Sequence, residues 1–193
     1  MPMQKSTSTT PQRVLFLDRD GTLIREPADF KIDSLEKLHL IPGVITALQK
    51  LRAAGYKLVM VSNQDQLDGP GFHRNDFELV HERLLEILAG EGVVFEAIYI
   101  DNHRPEDNHP MRKPNPGMVE DYCSKHTVDR PASFVIGDRR TDAMLADRTG
   151  CKSITIRDPQ SADGDLEYCS DMEQPPTQRF TNWVDITAHL LAQ

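Results

Sequence analysis

Short apolar runs alternate with stretches of helical period along most of this chain. Arg13 to Leu17 is an almost uninterrupted apolar run that stops at Asp18-Arg19-Asp20-Gly21-Thr22, and it reads as a buried strand. Pro42-Gly43 then introduces Val44, Leu48 and Leu51, one helical face that ends before Gly55. Lys57 to Ser62 is a second apolar strand. Asp76 to Ala89 is a helix with Phe77, Val80, Leu84, Leu85 and Leu88 inside. Val94 to Ile100 reads as a third strand, and Pro116 opens a helix carrying Met118, Val119 and Tyr122. Ser133 to Gly137 is a strand, Thr141 to Gly150 a helix, Lys152 to Ile156 a β-branched strand, and Trp183 to Leu191 a closing helix.

This order predicts an α/β domain: an open, parallel, Rossmann-like sheet with helices on both faces. Met1 to Gln12 is polar and without period, a flexible tail, so residues 13–193 form the expected single domain. Residues 27–40 read as a loop or small flap, and residues 157–182 as an extended loop before the helix at 183–192. Open sheets of this kind bind ligands outside the carboxyl ends of their strands. Asp18, Ser62 and Asp138 all fall at such ends.

The net charge of −8 argues against a nucleic-acid or anionic-membrane surface, so a small anionic ligand needs local positive charge. Cys123, Cys151 and Cys169 are odd in number and widely spaced, which argues against a disulfide framework and for reduced thiols. No run approaches the ~20 apolar residues of a membrane span, and the polar start lacks a signal-peptide core. The expectation is a cytoplasmic protein with no membrane partner; nothing in the sequence fixes an oligomeric state.

In a strand, residues i and i+2 point the same way, so Asp18 and Asp20 can face one site if the extended geometry persists. Such crowding invites Mg²⁺, a hard cation that needs one or two carboxylates when a phosphate completes its shell. The plain alternative is a strand that ends in a solvated acidic turn.

Asp18-Arg19-Asp20-Gly21-Thr22 resembles the nucleophile motif of the haloacid dehalogenase (HAD) superfamily, mostly phosphatases that work through an aspartyl-phosphate. The family's later motifs follow in order: Val59-Met60-Val61-Ser62-Asn63, Met111-Arg112-Lys113-Pro114, and Val135-Ile136-Gly137-Asp138 with Asp142. Each has an ordinary reading, as a strand end, a solvated lysine or a helix cap. Four matches in sequence order are harder to explain that way. The resemblance implies Asp18 as nucleophile, Asp20 as acid and then base, and Lys113 as the cation beside them. It further implies phosphate binding by Ser62, Asn63 and Arg112. Mg²⁺ would be held by Asp18, the Asp20 carbonyl and Asp138, with Asp142 in support.

Only 43 residues separate Asp18 from Ser62 and 50 separate Ser62 from Lys113, which leaves no room for a large cap domain. Within the superfamily the chain is most similar to the histidinol-phosphate phosphatases of histidine biosynthesis, through Asp18 to Ile24, Gly55 to Asp65, Arg112 to Pro114 and Ile136 to Asp142. That likeness implies L-histidinol phosphate as substrate. Heptose-bisphosphate phosphatases share the motifs and are the nearest rival. A nucleic-acid 3′-phosphatase, a phosphoryl-accepting signalling receiver and a non-catalytic protein on the same fold are the others. The family also carries a zinc loop of three Cys and one His, where this chain has Asp101, His103, His109 and Met111. Without thiolates the expectation is a zinc site that is weak or absent, in an ordinary exposed loop.

Overall fold

The first strand, β1 (Val14–Leu17), is buried along its whole length. A computed structural model describes residues 10–161 and 178–193. β1 is followed by α1 (Val44–Ala53), β2 (Lys57–Asn63), α2 (Arg74–Gly90), β3 (Ala97–Asp101), α3 (Gly117–Lys125) and β4 (Phe134–Gly137). Then come α4 (Arg140–Thr149), β5 (Lys152–Ile156), β6 (Gln178–Phe180) and α5 (Trp183–Leu191).

The six strands form one sheet in the order β3-β2-β1-β4-β5-β6, and every pairing is parallel. Successive strand residues face opposite sides of a sheet, so each strand feeds two cores. Leu15, Leu17, Leu58, Met60, Ile136 and Ile154 pack with Val44, Leu48, Val80, Leu84, Trp183 and Ile186 of α1, α2 and α5. Val14, Phe16, Val59, Val61 and Val135 pack instead with Met118, Val119, Tyr122, Leu145 and Ala146 of α3 and α4. Burying each such large side chain contributes roughly 1.5–3 kcal/mol relative to leaving it exposed. Trp183 is fully buried, and its indole N–H donates to the Thr22 carbonyl at 2.9 Å, which pins the turn that leaves β1.

The chain builds outward from β1 through β2 to β3, then returns to lay β4 on the other side of β1. The strand order therefore reverses between β1 and β4. A crevice opens there above their carboxyl ends, as in other doubly wound sheets.

Three sequence-based boundaries move. The expected extended loop over 157–182 contains β6, which pairs with β5 through Ile154↔Gln178 to Ile156↔Phe180. Gln-Arg-Phe carries neither alternation nor a β-branched run, so only the neighbouring edge defines it as a strand. The rest of that loop expectation, residues 162–177, lies outside the described residues, as do residues 1–9 of the expected tail. Gln12, assigned to that tail, instead bridges to Val128; its N–H donates to Thr127 O at 2.9 Å, and its carbonyl accepts from Asp129 N at 2.9 Å. β3 begins at Ala97 rather than Val94, because Val94 faces solvent while Val93 is the residue drawn into the core.

Candidate active site

The turns after β1 and β4 meet closely, with the Asp138 side chain packed against Gly21. Gly21 has φ of +73°, and a Cβ built there would lie 2.2 Å from Asp138 Oδ2. A Cβ on Gly137 would lie 2.2 Å from the Asp142 carboxylate carbon. Glycine is thus required at both positions for its missing side chain, and at Gly21 for its backbone conformation as well. Asp18 is fixed from below by its N–H, which donates to Ile136 O at 2.9 Å across the β1–β4 seam.

Into this seam the loop after β3 delivers Lys113, which is buried. Its Nζ donates to Asp18 Oδ1 at 2.7 Å and to Asp142 Oδ1 at 2.6 Å. Burial works to lower the lysine's proton affinity, but the Asp142 and Asp18 charges outweigh it and hold the amine above its ordinary range. Burial pushes Asp142 up to about 6, against the pull of Lys113. Asp138 is raised well above the usual carboxylate range, first by burial and then by the charges of Asp18 and Asp142.

Both carboxylate oxygens of Asp138 are buried with no hydrogen-bond partner among the described residues. A buried, unpaired carboxylate is costly, and a cation is the usual remedy. Ligand oxygens of Asp18, Asp138 and Asp142 all lie within 4.8 Å of one another. This oxygen-only set fits a hard divalent cation such as Mg²⁺. The Asp20 carboxylate is engaged elsewhere: Oδ1 accepts from Arg19 Nη1 and Oδ2 from Gln64 Nε2, each at 2.6 Å.

A cavity of about 280 Å³ opens above these groups, lined by Asp18, Asp20, Gln64, Arg112, Lys113 and Arg139 among others. Ser62 does not reach its wall; the buried hydroxyl accepts from Gln64 Nε2 at 3.0 Å. Asn63 lines the cavity, yet its amide is spent on the Lys113 backbone. It donates to the carbonyl and accepts from the N–H, each at 3.0 Å. Arg112 Nη2 donates to Asp65 at 2.8 Å, while its buried Nη1 has no partner among the described residues.

The sequence reading gave no role to Gln64, Asp65, Glu26 or Arg139. Gln64 and Asp65 sit directly after Asn63, where strand-end position was signal enough. Glu26 and Arg139 had no such signal, because they pair across 113 residues, Arg139 Nη2 to Glu26 Oε2 at 2.6 Å. Burial pushes Glu26 up to about 7; Arg139 opposes the shift and the Asp20 charge adds to it.

This raised value carries a stability consequence. Between the carboxyl's ordinary value of 4.5 and about 7, the folded protein holds a proton on Glu26 that the unfolded chain has lost. Stability from this group is full below about 4.5 and is lost as pH rises through about 7. Urea melts of the native protein and of Glu26→Gln should therefore diverge in pH dependence over that window, with the native protein losing more on alkalisation. Parallel curves would remove Glu26 as the source.

In the loop that precedes Lys113, which is exposed over most of its length, His103 and His109 turn toward the buried Asp101. His103 Nδ1 lies 2.8 Å and His109 Nδ1 3.3 Å from Asp101 Oδ1. The two rings stack with centroids 3.5 Å apart. The loop's exposure is as composition predicts, but its two histidines are clustered rather than scattered. Met111 brings only its backbone N–H, which donates to His109 Nδ1 at 3.3 Å.

Residues 110–182 match the HAD-hydrolase-like family model. The chain is 42% identical over 176 residues to the histidine biosynthesis bifunctional protein HisB of Campylobacter jejuni, covering 91% of this chain and 50% of that protein. It is 44% identical over 155 residues to HisB of Xylella fastidiosa, covering 80% of this chain and 41% of that one. The chain thus spans about half the length of the curated relatives it matches. Among solved structures it resembles D,D-heptose 1,7-bisphosphate phosphatase of B. bronchiseptica complexed with magnesium and phosphate. The TM-score is 0.78 at 26% identity, over 94% of this chain and 99% of that one.

Proposed function

The chain belongs to the HAD-like phosphatases, and from that premise we propose that it hydrolyses a small phosphomonoester through an aspartyl-phosphate on Asp18, with L-histidinol phosphate as substrate. The observation that carries the reading is the buried Asp18–Lys113–Asp142 cluster beside the unpartnered Asp138 carboxylate, beneath a cavity of about 280 Å³. That volume is near the lower end of small-molecule sites, which run from roughly 300 Å³, and suits a metabolite rather than a polymer.

In this mechanism an Asp18 oxygen attacks phosphorus while the bond to the leaving oxygen breaks. Asp20 gives that oxygen its proton, and the alcohol departs. Asp20, now a carboxylate, takes a proton from water as the water attacks the phosphorus of the aspartyl-phosphate. Inorganic phosphate leaves, Asp18 is regenerated, and Asp20 again carries its proton. Lys113 and Arg112 offset negative charge on the equatorial oxygens. Mg²⁺ held by Asp18, Asp138 and the Asp20 carbonyl, with Asp142 in support, would supply charge neutralisation between the nucleophile and the phosphoryl group.

Relatives named for histidine biosynthesis, at 42% identity over most of the chain, support histidinol phosphate as substrate. A second reading, D-glycero-D-manno-heptose 1,7-bisphosphate, is supported by the solved heptose-bisphosphate phosphatase, of which this chain covers 99%. Phosphate release from both compounds, with Mg²⁺ and with EDTA, separates them. The proposal expects release from histidinol phosphate to dominate and to stop with EDTA. Preference for the heptose would replace the substrate, and EDTA-resistant turnover would remove the metal.

We further propose that the 101–111 loop keeps its shape by hydrogen bonding and ring stacking rather than by tight zinc, since two imidazoles and a carboxylate are all it offers. Elemental analysis of protein purified without added metal should find zinc well below stoichiometric. Stoichiometric zinc that His103→Ala or His109→Ala removes would show a substitute site of Asp101, His103 and His109.

A further inference from the structure

Gln64 hydrogen-bonds both Asp20 and Ser62. Its Nε2 donates to Asp20 Oδ2 at 2.6 Å and to Ser62 Oγ at 3.0 Å. The side chain is buried, and its backbone is tied at both ends: Gln64 N donates to Asp101 O at 2.6 Å, and Gln64 O accepts from Leu67 N at 3.0 Å. The amide is therefore held by main chain that does not depend on any ligand.

We propose that Gln64 is a positioning residue, which sets the direction of the Asp20 carboxyl while the buried Ser62 hydroxyl anchors its amide. The inference rests on the aspartyl-phosphate reading above and deepens it. Two physical arguments carry it. A primary amide nitrogen has two hydrogens to donate. With one donated to the buried Ser62 oxygen, the amide plane is anchored and the other hydrogen is aimed at Asp20. Asp20 is gripped on its other side as well, Arg19 Nη1 lying 2.6 Å from Oδ1. Arg19 is itself fully buried and lies over the Phe77 ring at 4.9 Å. Donors on both oxygens fix the carboxyl plane, so a proton on Asp20 meets the leaving oxygen, and later the water, in one orientation. Positional error here is expensive, because proton transfer needs hydrogen-bond reach in the reacting complex.

The test is a double-mutant cycle. Gln64→Ala, Asp20→Asn and the double variant are assayed on phenyl phosphate and p-nitrophenyl phosphate, with phospho-enzyme followed by rapid quench. Gln64→Ala should lower kcat on phenyl phosphate by on the order of tenfold to a hundredfold, part of what a positioned acid or base supplies. KM should change little. The loss in the formation step should shrink on p-nitrophenyl phosphate, whose leaving group needs no proton, while hydrolysis of the phospho-enzyme stays slow. In the Asp20→Asn background, removal of Gln64 should cost little further. Equal losses on both esters, or an undiminished loss in that background, would overturn the proposal, since a merely structural defect behaves that way. Gln64→Met keeps the length but has no hydrogen to donate, so it reads out the same role if the alanine variant folds poorly. Wild-type rates from Gln64→Met would equally sink the idea. If the unaltered enzyme forms no aspartyl-phosphate, the underlying reading fails; if it does and the cycle is additive, only this inference fails.

Discussion

Asp18→Asn should abolish phosphate release while leaving the thermal transition in place or raising it. The amide keeps the carboxylate's shape but is not a competent nucleophile, and it lacks the charge that helps hold a cation. It also takes one negative charge out of a buried group of three, in which Asp138 already resists ionisation because of burial and its neighbours' charges. Relief of that repulsion offsets the loss of the Lys113 ion pair, so no collapse of the fold is expected. A steady-state assay and a melting scan on the same preparation check both halves. Near-normal turnover would remove Asp18 as the phosphoryl acceptor, and a collapsed transition would make the lost activity uninformative.

Lys113→Met should be the more damaging change, because it deletes the cation and leaves the acids. Nζ is within 2.7 Å of both Asp18 and Asp142, and all three side chains are buried. Removing one partner from a buried pair typically costs about 3–5 kcal/mol, since the remaining charge has nothing to offset it. Urea denaturation without divalent metal should show a loss of that order, and phosphate release should fall to background. Added Mg²⁺ should recover part of the stability and none of the activity. A variant as stable as the parent in EDTA would mean that the three carboxylates already share protons and do not need the lysine.

Much of the fold was legible because each strand before β6 announces itself with an apolar run, and the helices between them carry one clear apolar face. The site was legible in part for the same reason. Asp18, Ser62 and Asp138 stand where such runs end, and parallel topology brings strand ends together. What stayed hidden belongs to pairings that no local pattern records. Glu26 meets Arg139 across 113 residues. Asn63, expected to bind phosphate, spends its amide on Lys113 instead, which a strand-end position cannot reveal. β6 is a strand only by virtue of the edge beside it. For His103 and His109, composition described the exposed loop but not the cluster, in which the turn at Pro105–Asp107 brings both rings back to Asp101.

The seam between β1 and β4 also gives the site a place in time. Val14 N donates to Ser133 Oγ across 119 residues, and the acids that surround Lys113 come from opposite sides of that junction. Loops of such length close late, because their entropy must be surrendered before the contacts return anything. β1, β2 and β3 can pair in chain order before β4 arrives, so a refolding molecule acquires most of its backbone order while its acids are still apart. Recovery of phosphate release should then lag behind recovery of secondary structure, and enzymatic activity becomes a clock for the last large closure of the chain.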